Sequence, residues 1–305
     1  MAANALFRLV IKHKSLTMGD MKDGIRGLLS EGFDINMGSD GDSHNALEVA
    51  IEERVPWLAE FLLLQRADPN RRNWLHITPM HDIAEYVRDP RLLQVCIDHG
   101  GLVDAKNNSG ETPLFLAVMS EWADGMKILL ENGADPFVVN SDGMTILHQA
   151  CQTWCESVEC LQVLLDLGVL DINKKDLDAN SALHLALLNE DMDTDIQLQF
   201  VRMLTADGAD LTAKNNDGLT AQDITSIFIG VKGAVGSVQE RHEDSDHLHL
   251  LHDYLENELK VRNERNEAVL MALHPRLGNS SRMSVLSPDE IRMILTKLAQ
   301  NAHLS

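Results

Sequence analysis

An all-α solenoid of helix-turn-helix repeats with projecting turn or hairpin loops is the fold class this chain predicts, and three observations carry it. One short phrase recurs as Ile77-Thr-Pro-Met-His81, Thr112-Pro-Leu-Phe-Leu-Ala117, Thr145-Ile-Leu-His-Gln-Ala150, Ser181-Ala-Leu-His-Leu-Ala186 and Thr220-Ala-Gln-Asp-Ile224. A turn such as Leu129-Leu-Glu-Asn-Gly-Ala-Asp135 returns at Gly32, Arg66, Gly100, Gly133, Gly168 and Gly208, in steps of 34, 34, 33, 35 and 40 residues. Aromatic residues make up only 4% of the 305, which leaves alanine and leucine to pack the helices.

One copy shows why these residues fold this way. Asp142-Gly143 is a turn pair, because glycine accepts positive φ freely. Thr78-Pro79 and Thr112-Pro113 put a hydroxyl before a proline, which starts a helix. Leu114 and Ala117 share a face of that first helix, and the small alanine lets a neighbouring helix approach. The second helix, as in Met126-Lys-Ile-Leu-Leu130, closes at Asn132-Gly133 in a left-handed cap. No copy can bury its own apolar face, so stacking is obligatory. The register predicts Leu114, Ala117, Leu129, Leu183, Ala186 and Leu204 in the core.

In chain order, residues 1–39 form a degenerate first repeat. Leu6, Leu9 and Val10 face inward, followed by Ile25-Arg-Gly-Leu-Leu29 and Gly32. The first nineteen residues hold no acid and include Arg8, Lys12 and Lys14, the composition of a mitochondrial leader, but their apolar spacing already serves the array. Residues 40–216 supply about five repeats. Residues 217–260 are a capping repeat interrupted at 226–246, either a loop or a piece of first helix followed by one. Residues 261–305 are a helical C-terminal extension: Ser287-Pro-Asp-Glu290 starts a helix whose stripe is Ile291, Ile294, Leu295 and Leu298.

A T-P-L-H-x-A phrase with a period near 33 resembles the ankyrin repeat. The strongest matches run from Ser109-Gly-Glu-Thr-Pro-Leu-Phe-Leu-Ala117 through Gly133-Ala-Asp-Pro136, and from Asp178-Ala-Asn-Ser-Ala-Leu-His-Leu-Ala186 through Gly208-Ala-Asp-Leu211. The resemblance covers residues 4 to 257. It implies an ankyrin solenoid that binds protein through its fingertips and concave surface, and it implies that His81, His148 and His184 bridge to backbone of the adjoining turn.

Composition excludes several functions. A net charge of -21 opposes nucleic-acid binding, which needs a cationic footprint. No apolar run approaches the length that spans a membrane. Four cysteines without framework spacing predict the cytosol, with the nucleus as the alternative compartment. Cys151, Cys155 and Cys160 lie near His148, but spacings of four and five along helix are not those of a zinc site; no metal and no cofactor are expected. His242, His247, His249 and His252 read as the polar side of a closing helix whose apolar period is Leu248, Leu251 and Leu255. No nucleotide-binding, nucleophile-elbow or zinc-protease motif is present. An enzyme is not expected.

The predicted partner surface is a row of tips and first-helix ends: Arg71, Arg72, Trp74, Tyr86, Lys106, Trp122, Trp154, Lys174 and Lys175. Basic tips stand out against an acidic chain, although Ala-Lys-Asn is also ordinary sequence for such a turn. Tyr and Trp are frequent binding anchors, and Trp122 has the alternative role of filling the gap between helices. The protein is expected to be a monomeric, non-catalytic scaffold. The extension is similar in layout to a suppressor-of-cytokine-signalling box, and the helix 283–298 to the opening helix of an F-box. That alternative implies a substrate adaptor for a cullin-RING ubiquitin ligase; the extension departs from both patterns, lacking an elongin-binding cysteine phrase and ending too early for a full F-box.

Overall fold

In the computed structural model, residues 9–10, 12–38, 45–152, 157–189, 192–227 and 249–265 are described. They fall into two units, 1–252 and 253–305; of the second, only the helical stretch to residue 265 is described. The expected interruption at 226–246 and the extension beyond residue 265 lie almost wholly outside these residues.

Unit 1 is a stack of helix pairs. The leading pair ends in α1 (Met18–Ser30). Then come α2 (Ala46–Glu52) with α3 (Pro56–Leu64), α4 (Pro79–Asp82) with α5 (Pro90–Asp98), α6 (Pro113–Met119) with α7 (Ala123–Glu131), α8 (Ile146–Cys151) with α9 (Val158–Leu165), and α10 (Ala182–Leu188) with α11 (Thr194–Ala206). A last first helix, α12, covers 221–227. From α2 to α11, first helices pack on first helices and second on second, in two helical layers. The described secondary structure is helical apart from one isolated bridge, Val139 to Thr145.

The predicted core is buried: Leu114, Ala117, Leu129, Leu183, Ala186 and Leu204 all lie inside. In the first repeat Val10, Met21 and Ile25 are buried. Lys22 and Arg26 of α1 lay their charges over Phe61 of α3, 5.4 and 5.3 Å from its centroid, which lets the cationic groups cover apolar surface.

Five of the second helices close alike. Gly133 takes φ +85, its N–H reaches the Leu130 carbonyl, and the Ala134 N–H reaches back to Leu129, a paired closure that satisfies carbonyls the helix leaves open. Gly32, Arg66, Gly100 and Gly208 open the same closure. A strap then joins successive turns: the side chains of Asn36, Asn70, Asp104 and Asn173 accept the N–H of Asp68, Leu102, Asp135 and Asp210 at 2.7, 2.7, 2.9 and 2.6 Å.

Repeat lengths vary, and two of the insertions differ in where they fall. In repeat three the chain from Thr78 to the next helix cap is one longer than in repeat four, and α4 continues as a π turn, Ile83–Val87, which absorbs the insertion inside the helix. In repeat five one insertion sits between Gly168 and Asp171, where Val169 and Leu170 replace a single residue.

Candidate functional site

The tips are built from one side-chain motif. Asn73, Asn107, Asn140, Asp176 and Asn215 each use Oδ1 to accept the backbone N–H groups two and four residues on, a local bond that Asn and Asp are suited to make. Neighbouring tips are then joined through backbone. The N–H groups of Asn108, Ser141, Leu177 and Asn216 donate to the carbonyls of Leu75, Ser109, Asp142 and Asp178 at 3.0, 2.8, 3.1 and 2.9 Å. The fingertips therefore form one continuous ladder.

On this ladder Arg72, Lys106, Lys174 and Lys175 are exposed, and Trp74 is 71% exposed. The Asn108 side chain donates to the Trp74 carbonyl, which places Trp74 and Arg72 beside the Lys106 tip. Lys175 Nζ donates to the Lys214 carbonyl at 2.6 Å, so a second basic group forms where Lys174, Lys175 and Lys214 meet on adjacent tips.

Two expected residues are withdrawn from this surface. Arg71 is not a free tip: its Nη1 lies 3.1 Å from both Glu48 carboxylate oxygens, and the two side chains are 19% and 6% exposed. The cause is the residue type at Glu48. It stands three residues after the helix cap Asn45, in the slot that His81, His148 and His184 fill elsewhere, and its charge draws the arginine of the next repeat inward. Trp122 is only 8% exposed. It caps the start of α7 and lies on Gly125, where an added Cβ would come within 2.1 Å of the indole; the ring fills the gap between helices. Trp154 and Cys155 lie outside the described residues.

Tyr86, 63% exposed, stands apart from the tips, in the π turn at the far end of the first helix. Its hydroxyl pKa is raised to about 12, first by a hydrogen bond with Glu85. Arg54 Nη2 donates to the Tyr86 carbonyl and Arg88 Nη1 to the Ser120 carbonyl, at 3.4 and 3.0 Å. Both arginines thereby meet the carbonyl end of the next repeat's first helix, where positive charge is favoured.

The histidines are structural. In His81 and His148 the Nδ1 accepts from the backbone N–H of Thr78 and Thr145, and in His184 from that of Ser181. Nδ1 is therefore unprotonated and Nε2 carries the hydrogen. That Nε2 donates to the carbonyl of Glu111, of Asn180, and of Ala213 and Leu219 in the following repeats. Burial pushes all three below the ordinary imidazole range, His81 to about 4. Both ring nitrogens of His148 are thus occupied, and Cys151 and Cys160 are buried. Among the described residues no group of three or more His, Cys, Asp or Glu could hold a metal ion, and no helix is long and apolar enough to cross a membrane. His252 bonds through Nδ1 to the Thr225 hydroxyl at 3.0 Å.

Sequence reasoning passed over Leu177 and Phe137, which are 70% and 59% exposed. The signal lay in the alignment of copies: Leu177 stands at the tip slot held elsewhere by Trp74, Asn108, Ser141 and Asn216, and Phe137 stands where the strap residues Asn36, Asn70, Asp104 and Asn173 stand.

Comparison with known proteins agrees with this architecture. The chain is 32% identical over 161 residues to human B-cell lymphoma 3 protein, covering 52% of this chain and 33% of that one. It is 34% identical over 129 residues to human ankyrin repeat and SOCS box protein 6, covering 39% and 30%. The chain thus spans about a third of the length of these curated relatives. The crystal structure of the ankyrin repeat domain of Bcl-3 superposes with a TM-score of 0.61 at 25% identity, over 72% of this chain and 92% of that domain. The family described as ankyrin repeats (3 copies) matches at residues 58–140, 80–176 and 124–215. With more than half of its length matched, the chain belongs to the ankyrin-repeat family and is a protein-interaction module.

Proposed function

We propose that this protein is a non-catalytic scaffold whose fingertip ladder, from Arg72, Trp74 and Lys106 to Lys174 and Lys175, holds a partner protein, with Tyr86 and the adjoining first-helix ends as a second contact. The observation that carries the reading is the ladder itself, in which backbone hydrogen bonds fix exposed aromatic and cationic groups in one row. Preorganised groups bind at a smaller entropic cost than mobile ones. Support for a non-catalytic role comes from the three buried histidines, which are saturated by structural bonds. Cys96, Cys151 and Cys160, buried and in no disulfide among the described residues, suit a reducing compartment such as the cytosol or nucleus. The test is capture of partners from native extract by the full chain, compared with a Arg72→Glu, Lys106→Glu, Lys175→Glu variant of unchanged melting temperature. Loss of the partner in the variant supports the ladder; undiminished capture places the interface elsewhere.

A ligase-adaptor reading is favoured by one observation, the 34% identity to an ankyrin repeat and SOCS box protein. It assigns ligase recruitment to residues 283–298. Co-purification of a cullin with the full chain, abolished by Ile291→Asp and Leu295→Asp together, supports it; no cullin in the purified complex refutes it.

A further inference from the structure

The junction between repeats four and five departs from its neighbours in two independent ways. Where Asn36, Asn70, Asp104 and Asn173 strap one turn to the next, repeat four has Phe137, which carries no acceptor. Where Gly133-Ala134 and Gly208-Ala209 close their helices with paired bonds, repeat five has its insertion. Gly168 still donates to the Leu165 carbonyl at 2.9 Å, but Val169 swings out to 61% exposure. Among the described residues, no bond from Val169 to Leu164 replaces the closure.

Both departures open the same place. A groove of about 130 Å³ lies there, with an apolar lining of Phe137, Val139, Ile146, Leu147 and Leu170 and with Lys174 and Asp171 among its polar lining residues. Next to it, sharing the walls Leu147 and Leu170, is a hollow of about 220 Å³. The groove is close in size to an apolar cavity of roughly 150 Å³ that accepts a benzene ring. Its rim is the cationic part of the ladder. Lys174 pairs with no carboxylate among the described residues, and Lys175 and Lys214 lie beside it. Of the nearby acids, Asp171 lines the groove and accepts from the Asn173 N–H, and Asp176 accepts from those of Asp178 and Asn180; Lys174, Lys175 and Lys214 outnumber these two carboxylates. On a chain of net charge -21, this rim matches an acidic ligand.

We infer that the groove seats one large apolar side chain, Leu, Met or Phe, from an acidic segment of a partner protein, whose flanking carboxylates lie against Lys174 and Lys175. The inference rests on the reading that the ladder binds protein and names the chemistry of what it binds. Phe137 in place of a strap residue gives the apolar wall, the inserted Val169-Leu170 opens the entrance, and the lysines select the sign of the partner.

The probes are labelled nine-residue peptides: aspartate-rich with a central Phe, the same with a central Ala, and a lysine-rich version of the Phe peptide. Titrated against the full chain, the acidic Phe peptide should bind at least tenfold tighter than either control, a ratio typical of losing a buried anchor. Methyl resonances of Val139, Ile146, Leu147 and Leu170 should shift in the wild-type protein, a readout independent of any variant's folding. Phe137→Asn, which installs the residue of the other straps, should bring the Phe peptide to the level of the Ala peptide, and Lys174→Glu should reverse the preference between acidic and basic peptides. Equal binding of the Phe and Ala peptides, or shifts confined to other methyls, overturns the inference. So does a stronger shift of the same methyls by a peptide of residues 283–298, which would make this chain's own tail the occupant. Because partner capture reads the whole ladder and the methyl shifts read the groove alone, either reading can fail while the other stands.

Discussion

Relative to repeat four, repeat three has an extra residue in its first helix and repeat five has one past its second helix, and the two differ in where it goes. In repeat three the extra residue falls inside the first helix, which widens into the π turn Ile83–Val87. Ile83, Ala84 and Val87 stay buried, because both helical layers press on that segment and leave the surplus no way out. In repeat five it falls past the last turn of the second helix, in chain that faces water. There nothing holds it in, so it displaces Val169 outward and the turn opens. An insertion in a packed element becomes local strain, and one at an unpacked end becomes surface.

The largest test of this contrast is in the core. Leu114→Ala in the regular repeat four should cost roughly 2–5 kcal/mol, since it removes a fully enclosed side chain. Leu147→Ala should cost less by about 1 kcal/mol or more, because Leu147 already borders both hollows of repeat five and has fewer contacts to lose. Equal losses in urea denaturation would mean that repeat five is as tightly packed as repeat four.

Repeat three tolerates its strain while bolted to repeat two by Arg71 and Glu48. Arg71→Ala leaves the Glu48 carboxylate buried without its cation and should destabilise by about 3 kcal/mol. A change under half a kcal/mol in the same denaturation measurement would show the pair to be solvated.

Asp82, at the entry to the π turn, gives the pH signature of the same region. Burial first, then the charges of Glu48, Glu52 and Glu85, push its carboxyl up to about 7. The folded chain holds that proton to higher pH than the unfolded chain does. Its contribution to stability is therefore whole below the unfolded value and is lost as pH rises toward 7. His81, lowered to about 4, acts oppositely: its contribution is whole above the unfolded imidazole value and is lost as pH falls toward 4. Asp82→Asn removes only the first effect, so the variant's stability relative to wild type should improve between pH 5 and pH 8 by roughly 2–3 kcal/mol. A difference that does not change with pH would return Asp82 to an ordinary carboxyl.

What could be read in the sequence divides by range. The caps at Thr78, Thr112 and Thr145, the turn glycines and the core register depend on residues within one helical turn of each other, and a repeating sequence displays them many times over. The fate of Arg71 depends on Glu48, 23 residues earlier, and that of Trp122 on the missing side chain of Gly125; neither neighbour looks unusual until the chain is folded. Phe137 was visible only by comparison of slots. Its neighbours in the alignment are strap residues, and the strap itself is a contact between repeats that no single copy reveals.

The smallest expected effect is the most direct test of how repeat five opened. Deleting Val169 together with Leu170→Ala would recreate the Gly-Ala-Asp turn of residues 133–135. The alanine N–H should then find the Leu164 carbonyl, and its amide, now part of a paired closure, should gain protection in hydrogen exchange. The recovered hydrogen bond contributes about 1 kcal/mol, and losing the half-buried Leu170 side chain offsets roughly as much. Net stability should therefore stay within about 1 kcal/mol of wild type while the protection pattern changes. If the shortened chain instead lost more than about 2 kcal/mol with no newly protected amide, Leu170 would be a packing residue in its own right, and the insertion would be part of the core of repeat five rather than its opening.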